Sequence, residues 1–209
     1  MYRKFFKRIF DLILAIIALP FWLIILIIIG PIIYFQDKGP VFYNAPRLGK
    51  DGKIFKMYKF RTMKMNAPDI RNEDGSTFNS EDDPRLTKVG KFIRKTSIDE
   101  SPQIINVIKG DMSIIGPRPD LPDQRNIYIG DEIRKLEVVP GITGYNQVYF
   151  RNSIPVRERF INDIYYVNNI NFLLDFKIVL LTAKVLFQRK NVFNNSKVIK
   201  KSDHSTIDA

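Results

Sequence analysis

Residues 12–35, LILAIIALPFWLIILIIIGPIIYF, run for 24 positions without a charge. That is long enough to cross a bilayer as one helix, so the rest of the fold has to be arranged around a membrane element. The run is too long for a cleaved leader and lacks a small-residue cleavage site. Pro20 falls inside it and predicts a kink or break. Both flanks are basic, with Arg3, Lys4, Lys7 and Arg8 before and Lys38, Arg47, Lys50 and Lys53 after. Positive charge marks the cytoplasmic side, which assigns both flanks to one face. A bent hairpin that enters and leaves by that face satisfies both observations; a straight spanning anchor with a proline kink is the alternative. Asp11, at the base of the run, is expensive there unless paired, with Arg8 or Lys7 as candidates.

The formal charge of +11 is unevenly spread. Residues 1–64 hold 12 Lys/Arg against 3 Asp/Glu, a net of +9, and the remaining 145 hold 21 against 19. A basic collar beside an apolar segment suits anionic lipid head groups. Nucleic acid is the competing partner of a basic chain, but it leaves the apolar run unexplained, so no nucleic-acid partner is expected. There is no cysteine, and the one histidine, His204, lies in a polar tail. Thiolate, disulfide and core-histidine chemistry are therefore excluded. Catalysis, if present, must use carboxylates, Lys, Arg, Tyr or a bound ion.

Beyond the apolar run the chain reads as α+β. VFYNAPRLG and KIFKMYKF flank the turn Lys50-Asp51-Gly52, which predicts a β-hairpin over 41–60. Residues 64–84 are polar and predict a mobile surface loop. A short basic helix is expected over 87–95. Pro102 forbids a helix begun much before Asp99, so Asp99 or Glu100 should sit at or beside the N-cap of a helix ending near Lys109, with Gly110 as its stop. A strand and rigid loop follow over 111–119, a helix over 120–137, a Gly/Pro-rich turn region over 138–148, and helices over 156–169 and 172–188. The last is apolar enough to lie on a bilayer surface or close the core. Residues 190–209 read as disordered.

The chemistry-bearing stretch is 94–119, RKTSIDESPQIINVIKGDMSIIGPRP. The Asp99–Glu100 pair could simply cap a helix. It could also supply a carboxylate nucleophile for phosphorus and a metal ligand, and neighbouring carboxylates would repel without a cation between them. Pro117 and Pro119 restrain Arg118, which lowers the entropy lost when a guanidinium grips a phosphate; an exposed turn arginine is the plainer reading. Lys59 in KFRTM, with Arg94 and Lys95, offers further phosphate donors or ordinary solvated faces. Asp163 and Asp175 are lone acids on amphipathic helices, a pattern that is usually structural.

These segments resemble one family. KRIFD (7–11), GPVFY (39–43), KFRTM (59–63), the block from Asp83 to Pro119, PGITGYNQV (140–148) and NDIYYVNN (162–169) look like a bacterial sugar transferase of the small monotopic phosphoglycosyl transferase type, over roughly residues 3–188. The resemblance implies a re-entrant membrane helix over 1–36 broken at Pro20. A mostly helical cytoplasmic catalytic domain with interfacial amphipathic helices would fill 37–189, and a tail 190–209. It implies an enzyme of the bacterial inner membrane that moves a sugar-1-phosphate from a UDP-sugar to undecaprenyl phosphate. UMP would leave, and the product would start a surface polysaccharide that downstream glycosyltransferases extend. By carry-over Asp99 would be the nucleophile and Glu100 a ligand of Mg²⁺. Arg118 would hold the diphosphate, flanked by Pro117 and Pro119, with Lys59, Arg94 and Asp175 as lesser members of the site. The chain departs from the family pattern at Leu19-Pro20, at Ser101 and over Gln147–Arg151. The alternative from another class is a non-catalytic membrane adaptor that binds anionic lipid.

Overall fold

A computed structural model describes residues 1–71, 78–151 and 153–188. The apolar run becomes a single helix, α1 (Phe6–Asp37), which continues through Pro20 and also through Pro31. The expected break at Pro20 is not there: each proline removes one backbone hydrogen bond while the flanking turns carry the helix on. Its buried residues, Lys7, Asp11, Ala15, Trp22, Gly30 and Ile33, recur at helical spacing and form one stripe. Ala15 and Trp22 pack with Met57, Ile104, Val107 and Met112, while Ile33 packs with Phe60 and Ile93. The opposite face, including Ile16, Ile17, Phe21, Ile24 and Ile27, is exposed. In the most apolar 18-residue window only 11% is buried.

Polar contacts fix both ends of α1 to the same domain. Lys7 Nζ meets Asp175 Oδ2 at 2.7 Å, and Arg8 donates to the carbonyls of Val107 and Ile108. Asp11 makes no direct ion pair with either expected cation, though the charge of Lys7 acts on it; its Oδ1 accepts from Ser113 Oγ at 3.0 Å and from Ile114 N at 2.9 Å. At the far end, Arg61 forks onto Asp37 at 2.6 and 2.5 Å and also reaches the carbonyls of Ile33 and Pro40.

The β-hairpin forms as expected. β1 (Phe42–Leu48) and β2 (Ile54–Phe60) pair antiparallel, with Phe42 opposite Phe60. The turn needs left-handed residues, and Asp51 (φ 57°) and Gly52 (φ 75°) supply them. Of the loop expected over 64–84, residues 72–77 lie outside the described residues, and the described parts are less loose than their polarity suggests. Phe78 is buried, and Arg85 forks onto buried Asp83 while donating to the Pro68 and Phe78 carbonyls.

α2 (Lys88–Lys95) starts at Thr87, whose Oγ1 accepts from Gly90 N at 2.8 Å. A 3-10 turn (Ile98–Glu100) follows Ser97, itself left-handed at φ 59°. Then α3 (Gln103–Lys109) stops at Gly110, φ 90°. β3 (Ser113–Ile115) pairs parallel with β4 (Gly141–Thr143), so the 138–148 region holds a strand as well as turns. It also holds α4 (Tyr145–Tyr149). The expected helix over 120–137 is instead two 3-10 segments, Pro122–Ile127 and Gly130–Glu137. Tyr128 and Ile129, both extended, separate them, and the second opens on Gly130 at φ 56°. The Gln124 and Glu132 side chains fold back onto Leu121 N and Ile129 N. α5 (Val156–Asn168) and α6 (Phe172–Gln188) match expectation. The expected disordered tail and His204 lie outside the described residues.

Candidate active site

Four segments converge on the acid pair: the end of β2, the end of α2, the 3-10 turn before α3, and the loop after β3. Close backbone packing fixes two of these approaches. A Cβ on Gly90 would sit 1.8 Å from the Thr62 carbonyl oxygen, so α2 lies directly on the KFRTM segment. A Cβ on Gly141 would sit 2.1 Å from Gly116 N, and one on Gly144 the same distance from Gly116 O. The backbone therefore clamps the residue just before Pro117-Arg118-Pro119, and Gly141 N donates to Pro117 O at 2.9 Å.

Glu100 is held by two cations. Its Oε1 accepts from Lys59 Nζ at 2.7 Å and from Arg118 Nη2 at 2.6 Å, while Oε2 has only a 3.4 Å contact with Arg118 Nη1. Burial disfavours the Glu100 charge, but Arg118 and Lys59 outweigh it and hold the carboxyl well below the usual carboxylate range. Lys59 is pushed down by its own burial against that opposing attraction. Arg118 is raised, chiefly by Glu100, although half its side chain faces solvent.

Asp99 is in the opposite situation. It is 7% exposed, and among the described residues no hydrogen bond or ion pair ties up its carboxylate. Burial pushes it to about 6, against the pull of Lys59 and with the push of Glu100. Arg94 helps hold the charge; its Nη2 donates to Thr62 Oγ1 at 2.8 Å. Neither acid caps α3, because the N-cap is Pro102 and no side chain caps it. The plain capping role is thereby removed.

The structure thus brings together Asp99, Glu100, Lys59, Arg94 and Arg118, with Pro117 and Pro119 framing the last. Asp175 lies elsewhere. Fully buried on α6, it accepts from Tyr2 Oη, Lys7 Nζ and Tyr166 Oη, each at 2.7 Å. Among the described residues no hydrogen bond or ion pair joins it to the acid pair. Asp163 is likewise structural, paired with Lys135 at 2.7 Å and with Asn146.

Sequence reasoning passed over Asn106, which is fully buried. Its Oδ1 accepts from Tyr58 N at 2.9 Å and its Nδ2 donates to Lys56 O at 2.8 Å. The carboxamide thus stands in for a third strand on the free edge of β2, one residue before Lys59. The signal was a polar residue inside the apolar stripe of QIINVIK, which in a packed helix requires partners.

A buried carboxylate without a hydrogen bond among the described residues, beside one neutralised by two cations, forms a site suited to an anionic ligand, on a domain packed against a helix whose outer face is almost entirely apolar. The profile described as "Bacterial sugar transferase" matches residues 2–189, and the chain belongs to that family. It is 44% identical over 188 residues to galactosyl transferase CpsE of Streptococcus agalactiae, covering 86% of this chain and 42% of that protein. It is also 44% identical over 178 residues to the uncharacterized sugar transferase EpsL of Bacillus subtilis, covering 85% of each. The undecaprenyl-phosphate galactose phosphotransferase of Salmonella typhimurium is 39% identical over 207 residues, 91% of this chain and 42% of that protein. The chain therefore spans less than half of two of these relatives and most of the third.

Proposed function

We propose that the protein is a membrane-associated phosphoglycosyl transferase that moves a sugar-1-phosphate from a UDP-sugar to undecaprenyl phosphate. The observation that carries this is the unlike pair Asp99 and Glu100: one carboxylate buried and uncommitted, its neighbour clamped by Lys59 and Arg118. Relatives named as an undecaprenyl-phosphate galactose phosphotransferase and as a UDP-galactose-lipid carrier transferase support the substrate classes.

In the first half-reaction, an Asp99 oxygen attacks the phosphorus that bears the sugar. A P–O bond forms to Asp99, the bond from that phosphorus to the bridging oxygen breaks, and UMP leaves with that oxygen and its electron pair. In the second, a phosphate oxygen of the lipid acceptor attacks the same phosphorus and Asp99 departs as carboxylate, giving the polyprenyl-diphosphate sugar. Arg118 and Lys59 stabilise the charge that builds on the phosphoryl oxygens. With no histidine among the described residues, Asp99 attacks as the carboxylate and needs no separate base.

The donor set suits Mg²⁺. The lightly engaged Oε2 of Glu100 is a hard oxygen ligand, and magnesium characteristically takes one or two carboxylates and completes its shell with substrate phosphates and water. Among the described residues no three acids or histidines cluster as a metal site, so the proposed ion would take much of its shell from substrate and water. When bound, the ion would neutralise diphosphate charge.

What supports a course for α1 that meets the membrane from one face, without a break at Pro20, is the anchorage of both its ends. The helix is about 48 Å long at 1.5 Å per residue, yet Lys7 and Asp37 are each bonded to the same domain. A spanning helix would have to carry those ends to opposite faces of the bilayer. The basic flanks support a domain on the cytoplasmic side of the inner membrane. A panel of UDP-sugars with undecaprenyl phosphate and Mg²⁺, scored by UMP release, tests the reading: turnover of at least one donor is expected, and turnover of none contradicts it.

A further inference from the structure

Lys135 is a buried cation held between two acids. It is 5% exposed, and its Nζ meets Asp120 Oδ2 at 2.6 Å and Asp163 Oδ2 at 2.7 Å. The ammonium also lies 5.0 Å from the centre of the Phe160 ring. Asp120 Oδ2 accepts a second bond, from Tyr128 Oη at 2.7 Å, and Asp163 Oδ1 accepts from Asn146 Nδ2 at 2.8 Å. One cation thus ties the loop after β3 to α5, with Tyr128 and Asn146 steadying the two acids.

Asp120 is two residues beyond Arg118, and Arg118, Asp120 and Lys135 line one crevice. The loop is pinned on both sides of Arg118. Before it, Gly141 N donates to Pro117 O at 2.9 Å. After it, Leu48 N donates to Asp120 O at 2.9 Å, and Lys135 grips the Asp120 carboxylate. The Arg118 side chain itself is half exposed and reaches Glu100 at 2.6 Å. Where its fork points therefore depends on where its backbone is held. A buried ion cluster adds little net stability, because desolvation offsets much of the attraction. What this one does is fix Asp120, and with it the rigid Pro117-Arg118-Pro119 segment.

We propose that Lys135 is a positioning residue for donor binding: anchored on Asp163, it grips Asp120 and so sets Arg118 where its planar fork meets the diphosphate. This rests on the functional reading above. It gives α5 a part in the reaction without any contact to the substrate, through a chain of three side chains.

The test is a double-mutant cycle on kcat/KM for the donor that turns over, with full-length protein in nanodiscs and Tm recorded to show that each variant is folded. Lys135→Met/Asp163→Asn removes the cation together with one of its acids. Asp120→Asn cuts the same link and leaves Lys135 balanced by Asp163, so it carries the test if the first variant does not fold. Each should lower kcat/KM about tenfold, the loss of one charge-assisted contact. Arg118→Lys keeps the charge and loses the fork. In that background the same changes should cost no more than about twofold, because the geometry they protect is already gone. An equal loss in both backgrounds would make the cluster structural only and overturns the proposal. So does a folded Asp120→Asn protein whose kcat/KM stays within about twofold of wild type. A wild-type protein that turns over no UDP-sugar overturns both the proposal and the functional reading.

Discussion

Asp99 and Glu100 are consecutive residues of one 3-10 turn, yet their carboxylates meet opposite surroundings. Lys59 and Arg118 close on Glu100 at 2.7 and 2.6 Å, while Asp99 is buried beside them without a hydrogen bond of its own among the described residues. Glu100 is held ionised far below the usual range; Asp99 is pushed up to about 6. Two identical functional groups are thus separated by environment into a fixed anion and an uncommitted one, the one the proposed mechanism uses as nucleophile.

That separation has a cost in stability. The pKa of Asp99 is higher in the folded state than its ordinary 3.8, so protons favour the fold. Its contribution is most favourable below about pH 4, weakens up to about pH 6 and is level above. Asp99→Asn removes the buried charge. It should raise Tm at pH 7.5 by about 5 °C and leave it nearly unchanged at pH 4. The same variant should release no UMP. A lower Tm at pH 7.5 would contradict the assignment of Asp99 as a strained, uncommitted anion.

The same shift sets the pH dependence of turnover. With Asp99 attacking as the carboxylate, as proposed, kcat/KM should fall about tenfold per unit below pH 6 and be level from pH 7 to 8. A profile flat from pH 8 down to pH 5 would mean that the reactive group has an ordinary carboxylate pKa.

Gly90 offers a test of how α2 is seated. In an open helix, Gly→Ala adds about 1 kcal/mol of stability. Here the added methyl would lie 1.8 Å from a backbone carbonyl oxygen, so the sign should reverse, with a loss of about 3 kcal/mol. Urea titration of Gly90→Ala in detergent would show it. Turnover should fall as well, because α2 carries Arg94.

Asp175 and Lys7 form a buried pair that joins α1 to α6. Removing one member leaves an uncompensated charge, at about 3–5 kcal/mol. Lys7→Ala and Asp175→Ala should both lower Tm sharply, while the folded fraction keeps a donor KM close to wild type. A large rise in KM without loss of stability would instead place Asp175 in the substrate site.

The parts legible in the sequence were those with a local chemical cause. Asp51-Gly52 predicted the hairpin, Thr87 stands at the start of α2, and Gly110 stops α3. The acid pair and Arg118 stood out because two charges and two prolines are costly ornaments for a simple turn. What escaped depends on distant backbone. β4 is three residues long and contains glycine, and it exists because Gly116, Gly141 and Gly144 allow backbone to touch backbone. The run over 120–137 became 3-10 segments because Gln124 and Glu132 bond locally to the backbone. Asp11 was assigned to nearby cations, and Lys7 does act on its charge, but its hydrogen-bond partners lie about a hundred positions away at Ser113 and Ile114. The uninterrupted course of α1 through two prolines likewise reflects the stripe of side chains that holds it against the domain.

The most direct measurement is capture of the intermediate. The protein is mixed with a donor labelled in the sugar, with Mg²⁺ and without polyprenyl phosphate. UMP should appear in a burst close to one equivalent, with the sugar-phosphate on the peptide that contains Asp99. Addition of undecaprenyl phosphate should discharge the label into lipid, and Asp99→Asn should show neither burst nor label. UMP release that waits for the lipid acceptor, or an Asp99→Asn protein that still turns over, would contradict covalent catalysis by Asp99.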